Sequence, residues 1–74
     1  MSGMTIYPRV MAQMYLKGYD NKRLAKEIGL SYITLRRRLR GDIPIKLGEA
    51  ARIREALGCD MPLEVLFEKR EGLI

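Results

Sequence analysis

Apolar residues recur along this chain at helical rather than strand spacing. The first predicted helix begins near Pro8, since proline is well tolerated at a first helical position, and ends at Lys17 before Gly18. Its apolar positions fall on one helical face and are expected to be core filler: Val10, Met11, Met14 and Tyr15.

Two short helices follow, joined by a tight turn. Asp20 is a favourable N-cap for a helix over residues 21–28, and Ser31 for a helix over residues 32–40. Between them, Gly29 supplies the positive φ that the turn needs. The predicted inner positions of the pair are Leu24, Ala25, Ile28, Leu35 and Leu39.

Two further helices complete the pattern. Gly41-Asp42, with Pro44 close behind, ends the third helix, and a fourth runs from about residue 46 to Leu57 before Gly58. Asp60 is predicted to cap a fifth helix that has Pro62 in its first turn. The apolar side of this fifth helix holds Leu63, Leu66 and Phe67.

No segment alternates with period two, so the chain is predicted to be all-α with five helices. The expected organisation is a flexible N-terminus (1–6), one domain (7–68) and a C-terminal tail (69–74). No apolar run approaches the ~18 residues that span a bilayer, and no signal peptide opens the chain. A cytoplasmic protein without membrane contact is expected.

Charge points toward nucleic acid, whereas the residue inventory argues against catalysis. The net charge is +5, the sequence pI is about 9.7, and the positive excess lies before residue 59. A single cysteine and no histidine leave no internal disulfide, zinc site or common general base. We therefore expect no enzyme, cofactor, metal or small-molecule ligand, and interpret Cys59 as a small buried residue rather than a redox sensor.

The third helix carries four arginines in five residues, at positions 36, 37, 38 and 40. Such a run is often only a solvated helix face. Here no acidic residue lies between Ser31 and Arg40, so the four charges are expected to repel one another unless a phosphate surface relieves them. This favours contact with DNA. RNA binding is less well supported, because the chain lacks an aromatic stacking platform.

The motif Leu24-Ala25-x-x-x-Gly29-Leu30-Ser31-x-x-Thr34-Leu35 resembles the helix-turn-helix of phage Cro and cI repressors and of XRE-like regulators. The likeness extends over roughly residues 8–68, through the Arg40-Gly41-Asp42 turn and the closing segment 56–67. It implies a lambda-repressor-like DNA-binding domain whose helix-turn-helix is formed by the second and third helices.

The resemblance also implies which residues touch DNA. Base contacts are expected from the start of the third helix and one turn later, at Tyr32, Ile33, Arg36 and Arg37. Candidate phosphate contacts are Asn21, Lys22, Ser31, Thr34, Arg40 and Lys46. Two points stay open: Tyr32 equally suits a core-edge aromatic, and the order Arg38-Leu39 reverses the apolar–polar order of many relatives, which leaves the role of Arg38 undefined.

The implied function is a transcriptional regulator of phage or prophage type that binds a pseudo-palindromic operator on double-stranded DNA as a homodimer. The dimer contacts are predicted at Leu63, Phe67, Leu73 and Ile74, although these side chains alternatively complete the core. An autorepressing antitoxin is the nearest variant. A protein-binding adaptor such as an antirepressor is the alternative from another class, with the apolar C-terminal segment as its working surface.

Overall fold

Five helices make up the part of the chain that the computed structural model describes, residues 5–69. Their bounds are Pro8–Lys17 (α1), Asn21–Ile28 (α2), Tyr32–Arg40 (α3), Leu47–Leu57 (α4) and Leu63–Leu66 (α5). No strand occurs within these residues, and the predicted all-α, five-helix fold is confirmed. None of the described helices is long and apolar enough to cross a membrane.

The predicted caps fix the helix-turn-helix locally. A carboxylate oxygen of Asp20 accepts a hydrogen bond from the backbone N–H of Arg23 at 2.8 Å, and Oγ of Ser31 accepts one from the N–H of Thr34 at 3.1 Å. Helix α2 ends at Gly29, whose φ of +78° lies in the left-handed region that side chains disfavour. Local sequence therefore determines where α2 ends and α3 begins.

The core lies where α2 packs against both α3 and α4, with α1 and α5 closing the other side of α4. Six side chains are almost fully buried, and they come from all five helices: Val10, Leu24, Leu35, Ile53, Leu57 and Leu66. Helix α3 contributes only Leu35 and Leu39 to this core, so the remainder of its surface is left for solvent or a partner.

Two of the four side chains predicted on the buried face of α1 are buried. Val10 and Met14 are buried, but Met11 is 39% exposed and Tyr15 is 86% exposed. The buried stripe is narrow because α1 packs onto α4 and α5 along one side only. Tyr7 extends this stripe instead, and its ring meets that of Phe67 edge-on with centroids 5.2 Å apart.

The first turn of α4 has an unusual exposure pattern, and α5 begins later than predicted. Leu47 begins α4 but is 76% exposed, whereas Glu49 in the same turn is buried. Asp60 does not cap the fifth helix, because the N-cap is Pro62 and α5 is a single turn. Pro62 has a helical φ of −58° but an extended ψ of 151°, so the first helical residue is Leu63.

The N-terminal segment predicted to be flexible includes two residues that are held in place. Thr5 Oγ1 donates to the carbonyl of Leu39 at 2.8 Å, and the N–H of Ile6 donates to the same oxygen at 2.9 Å. Residues 5 and 6 therefore cover the C-terminal end of α3. The rest of that segment, and the C-terminal residues Leu73 and Ile74, lie outside the described residues.

Candidate nucleic-acid interface

The turn between α2 and α3 sets the angle between these two helices. Ala25, 2% exposed, is small enough for the two helices to cross closely, and its carbonyl accepts a hydrogen bond from the N–H of Leu30 at 3.0 Å. Ile28 and Leu35 are buried beneath this crossing. The opposite face of α3 is therefore directed away from the core.

That outward surface, here called the reading face, comprises the four side chains expected to contact bases: Tyr32, Ile33, Arg36 and Arg37. Ile33 is 65% exposed and Tyr32 is 37% exposed, so both are accessible. Arg37 is exposed and Arg36 half-buried. Sequence reasoning placed these four together, and in the fold they lie on consecutive turns of α3.

Tyr32 lies outside the buried core formed by residues 5–69 and is flanked by cations. The Nζ of Lys22 is 5.8 Å from the centre of its ring, and the guanidinium carbon of Arg36 is 5.6 Å from it. Cations within about 6 Å of an aromatic ring are attracted to it. Tyr32 therefore links the start of α2 to the reading face and helps to orient both basic side chains.

The expectation that all four arginines of α3 are unopposed is wrong. Arg38 Nε lies 2.8 Å from an oxygen of Glu49, and Arg40 Nε lies 3.8 Å from one of Asp42. Both carboxylates come from beyond α3, so the absence of acidic residues within the helix did not reveal them. Among residues 5–69, no carboxylate forms an ion pair with Arg36 or Arg37.

The candidate phosphate contacts other than Arg40 lie in or next to the first turns of helices. Ser31 Oγ donates to Thr34 Oγ1 at 2.8 Å. Because Thr34 is the acceptor in that bond, its own hydroxyl proton can be donated to another acceptor. The first N–H groups of a helix lack intrahelical partners and form an anion-binding end. Lys22, exposed, and Asn21, half-buried, begin α2, while the exposed Lys46 is the N-cap of α4. Arg40 is also exposed, although Asp42 competes for its charge.

An apolar groove lies between α4 and α5 and includes the end of the loop before α4. Its volume is about 500 Å³, and its apolar lining comes from Ile45, Leu47, Ala50, Leu63 and Phe67. Leu63 and Phe67, two of the residues predicted at a dimer contact, thus line one surface. Phe67 is shared between this groove and the core, because its other side meets Tyr7.

Glu49 was missed by sequence reasoning, although a partial signal was present. A glutamate three residues after an N-cap is half of a capping box, and the Glu49 carboxylate accepts from the N–H of Lys46 at 3.0 Å. The N-cap residue is lysine, which cannot accept a hydrogen bond, so the usual signature is incomplete. The ion pair to Arg38 depends on how α3 and α4 meet.

Two helices joined by a tight glycine turn, the second with an exposed basic face, define a helix-turn-helix DNA-binding domain. The family model described as Helix-turn-helix matches residues 12–63, most of the chain. The chain belongs to this XRE-type helix-turn-helix family, and the resemblance seen in the sequence is confirmed. The protein is a DNA-binding transcription regulator. No curated protein matches the chain significantly.

Proposed function

We propose that this protein is a Cro/cI-like repressor of phage or prophage type that inserts α3 into the major groove of a pseudo-palindromic operator. One observation carries the proposal. Arg36 and Arg37 project from the reading helix without a carboxylate partner among residues 5–69, beside the exposed Ile33. A helix face that combines the apolar side chain of Ile33 with two guanidinium groups lacking a carboxylate partner within the described residues is suited to contact base edges.

The reading face divides into two kinds of contact. Arg36 and Arg37 present forked donors that match the O6 and N7 acceptors of guanine, and each good pair is worth about 1–3 kcal/mol of discrimination. Ile33 has no polar group and suits the methyl group of thymine. Tyr32 sits between the helix starts and orients its cationic neighbours.

Phosphate contacts fix the domain on the duplex without reading sequence. The start of α3, with Ser31 and Thr34, and the start of α2, with Asn21 and Lys22, both direct helix N-termini at the DNA backbone. Arg40 and Lys46 add positive charge beyond the other end of α3. Neutralised phosphates release counterions, so affinity is expected to fall steeply with salt.

A homodimer would match the symmetry of such an operator. The apolar groove between α4 and α5 supplies a surface for self-association, and Leu47 at its edge is 76% exposed. The described residues measure 33 × 26 × 23 Å, so two adjacent copies are large enough to address half-sites about 34–36 Å apart. Such a regulator acts on cytoplasmic DNA by occupying its site. An antitoxin that represses its own operon would use the same surfaces.

Selection of bound sequences from a random duplex pool tests the proposal. The expected result is a palindromic consensus, and affinity for it should fall with salt by about 0.9 in log–log slope per phosphate contacted. An isolated, non-palindromic site would contradict the dimer. Weak binding that is insensitive to salt, with no enriched sequence, would contradict DNA reading and support a protein-binding adaptor.

A further inference from the structure

Arg38 points away from the reading face, although it belongs to the same arginine run. Its side chain is 14% exposed, and its Nε atom lies 2.8 Å from an oxygen of Glu49, whose side chain is 10% exposed. The same guanidinium donates through Nη1 to the carbonyl of Pro44 at 2.6 Å. The N–H at Nε is not aligned with the Glu49 oxygen, so that contact is an ion pair rather than a directed hydrogen bond.

These contacts join α3, the 41–46 loop and the first turn of α4. Glu49, which pairs with Arg38, also accepts from the backbone N–H of Lys46, the N-cap of α4. The beginning of the loop is held separately, because the N–H of Asp42 donates to the carbonyl of Arg37 at 2.9 Å. Arg38 thus fixes the middle and the end of the 41–46 loop to the reading helix.

Stability alone is a weak reason for such a pair. Largely buried ion pairs pay a desolvation cost, and well-packed apolar replacements are often as stable or more so. The simultaneous contacts of a rigid guanidinium, one hydrogen bond and one ion pair, do, however, fix geometry. What they fix here is the position of Lys46, an exposed cation, relative to the base-reading Arg37 on the same helix as Arg38.

We propose that Arg38 is a positioning residue that holds Lys46 in register with the phosphate backbone while α3 lies in the groove. It does not itself touch DNA. This inference rests on the proposed function, because it assigns an indirect role within the same interface. It separates the arginine run into readers (Arg36, Arg37), an exposed cation (Arg40) and an internal support (Arg38).

A double-variant cycle on DNA affinity tests this role. Lys46→Ala and Arg38→Met should each weaken binding to all duplexes by a similar factor of up to about tenfold. Each should also reduce the log–log salt slope by about 0.9, as for one lost phosphate contact. With Arg38→Met already present, Lys46→Ala should weaken binding by less than about twofold, because the contact is already lost. The base preference selected from a random pool should not change.

Arg40→Met is the matched control, since it removes another α3 arginine that is exposed. Its effect and that of Lys46→Ala should multiply. If the effects of Arg38→Met and Lys46→Ala also multiply, Arg38 contacts DNA independently and the inference is overturned. Altered base preference in Arg38→Met would overturn it too.

A double variant distinguishes the proposed role of Arg38 from general loss of folding, and the wild-type affinity distinguishes the inference from the proposed function. The double variant Arg38→Met/Glu49→Met leaves no unpaired buried charge and should remain folded by urea denaturation, yet show the same insensitivity to Lys46→Ala. If this folded double variant regains full dependence on Lys46, the inference fails. A wild-type chain without salt-dependent DNA affinity would overturn the proposed function together with the inference. Intact wild-type binding with a multiplicative cycle would overturn the inference alone.

Discussion

The four arginines of α3 have four different surroundings, although they are close neighbours in sequence. Arg38 is tied to Glu49 and Pro44, and the exposed Arg40 lies near Asp42 at the C-terminal end of the helix. Arg36 lies beside the ring of Tyr32, and Arg37 is exposed. Replacing each one should therefore affect a different property of DNA binding.

Arg37→Ala is expected to relax sequence preference at one base pair by about 1–3 kcal/mol, because a forked contact to guanine is lost. Lys46→Ala serves as the comparison and should weaken all sequences alike, since phosphate contacts carry no base information. The measurement is a set of dissociation constants for the selected operator and its single-base variants. If both substitutions left operator affinity unchanged, α3 would not be the reading helix.

At the scale of the helices, the start of α3 stabilises the fold and is a proposed DNA contact. Ser31→Ala removes the oxygen that accepts from the N–H of Thr34 and should lower the free energy of unfolding by about 1 kcal/mol. Ser31→Asp retains an N-cap acceptor and should stay close to wild type in stability. Its negative charge should nevertheless weaken binding to every duplex, by repelling the phosphate at that helix end.

Urea denaturation and DNA titration of these two variants separate the roles. A Ser31→Asp variant that binds DNA as well as the wild type would show that no phosphate approaches this end of α3. Unchanged stability of Ser31→Ala would show instead that the cap is dispensable.

Tyr19, in the turn between α1 and α2, connects that turn to both α2 and α4. Its hydroxyl lies 2.8 Å from a carboxylate oxygen of Glu27 and 3.2 Å from the carbonyl of Ala56. The hydrogen bond to Glu27, burial and the Glu27 charge raise the pKa of Tyr19 above its ordinary value of 10.0, against the opposing charge of Arg23. The folded chain therefore holds this proton more tightly than the unfolded chain does.

The stability that Tyr19 contributes is accordingly complete below about pH 10 and is lost as pH rises through its raised, folded-state pKa. Tyr19→Phe should reduce the alkaline decrease in the free energy of unfolding, measured by denaturant titration across that range. Part of the decrease should remain, because burial also raises the pKa of Tyr7. Tyr15→Phe, at an 86% exposed position, is the control. An alkaline decrease of wild-type size in Tyr19→Phe would contradict the assignment.

The elements that could be predicted from sequence are those specified by near neighbours along the chain. Asp20 and Ser31 cap the helices as expected, and Leu35 and Leu39 are the buried positions of α3. Contacts between elements were not accessible in this way. The partner of Arg38 lies in α4, and whether Tyr15 is buried depends on how wide a face of α1 its neighbours cover. The candidate base, phosphate and dimer contacts remain predictions.

At the scale of the whole molecule, the exposed Leu47 offers a test of the proposed dimer surface. Leu47→Glu should weaken self-association by at least about tenfold, because the interface would bury an unpaired carboxylate. The monomer should stay folded, since Leu47 is 76% exposed. Leu16→Glu, at a 71% exposed position on α1, is the matched control and should leave association unchanged.

Sedimentation velocity gives the association state of both variants, and operator titration gives the consequence for DNA binding. Operator affinity should decrease with Leu47→Glu more than with Leu16→Glu, beyond the loss that one added negative charge causes. The reverse order would place self-association on α1, and equal behaviour would exclude both surfaces.

The inward attachment of α3 through Leu35, Arg38 and Leu39 has a consequence for how such a protein diversifies. The side chains that anchor the helix and those on the reading face occupy different positions, so each set is free to change without the other. Exchanging Ile33, Arg36 or Arg37 should redirect the domain to a new operator at little expense in stability. The same fold is therefore suited to a series of regulators that each bind a different operator sequence.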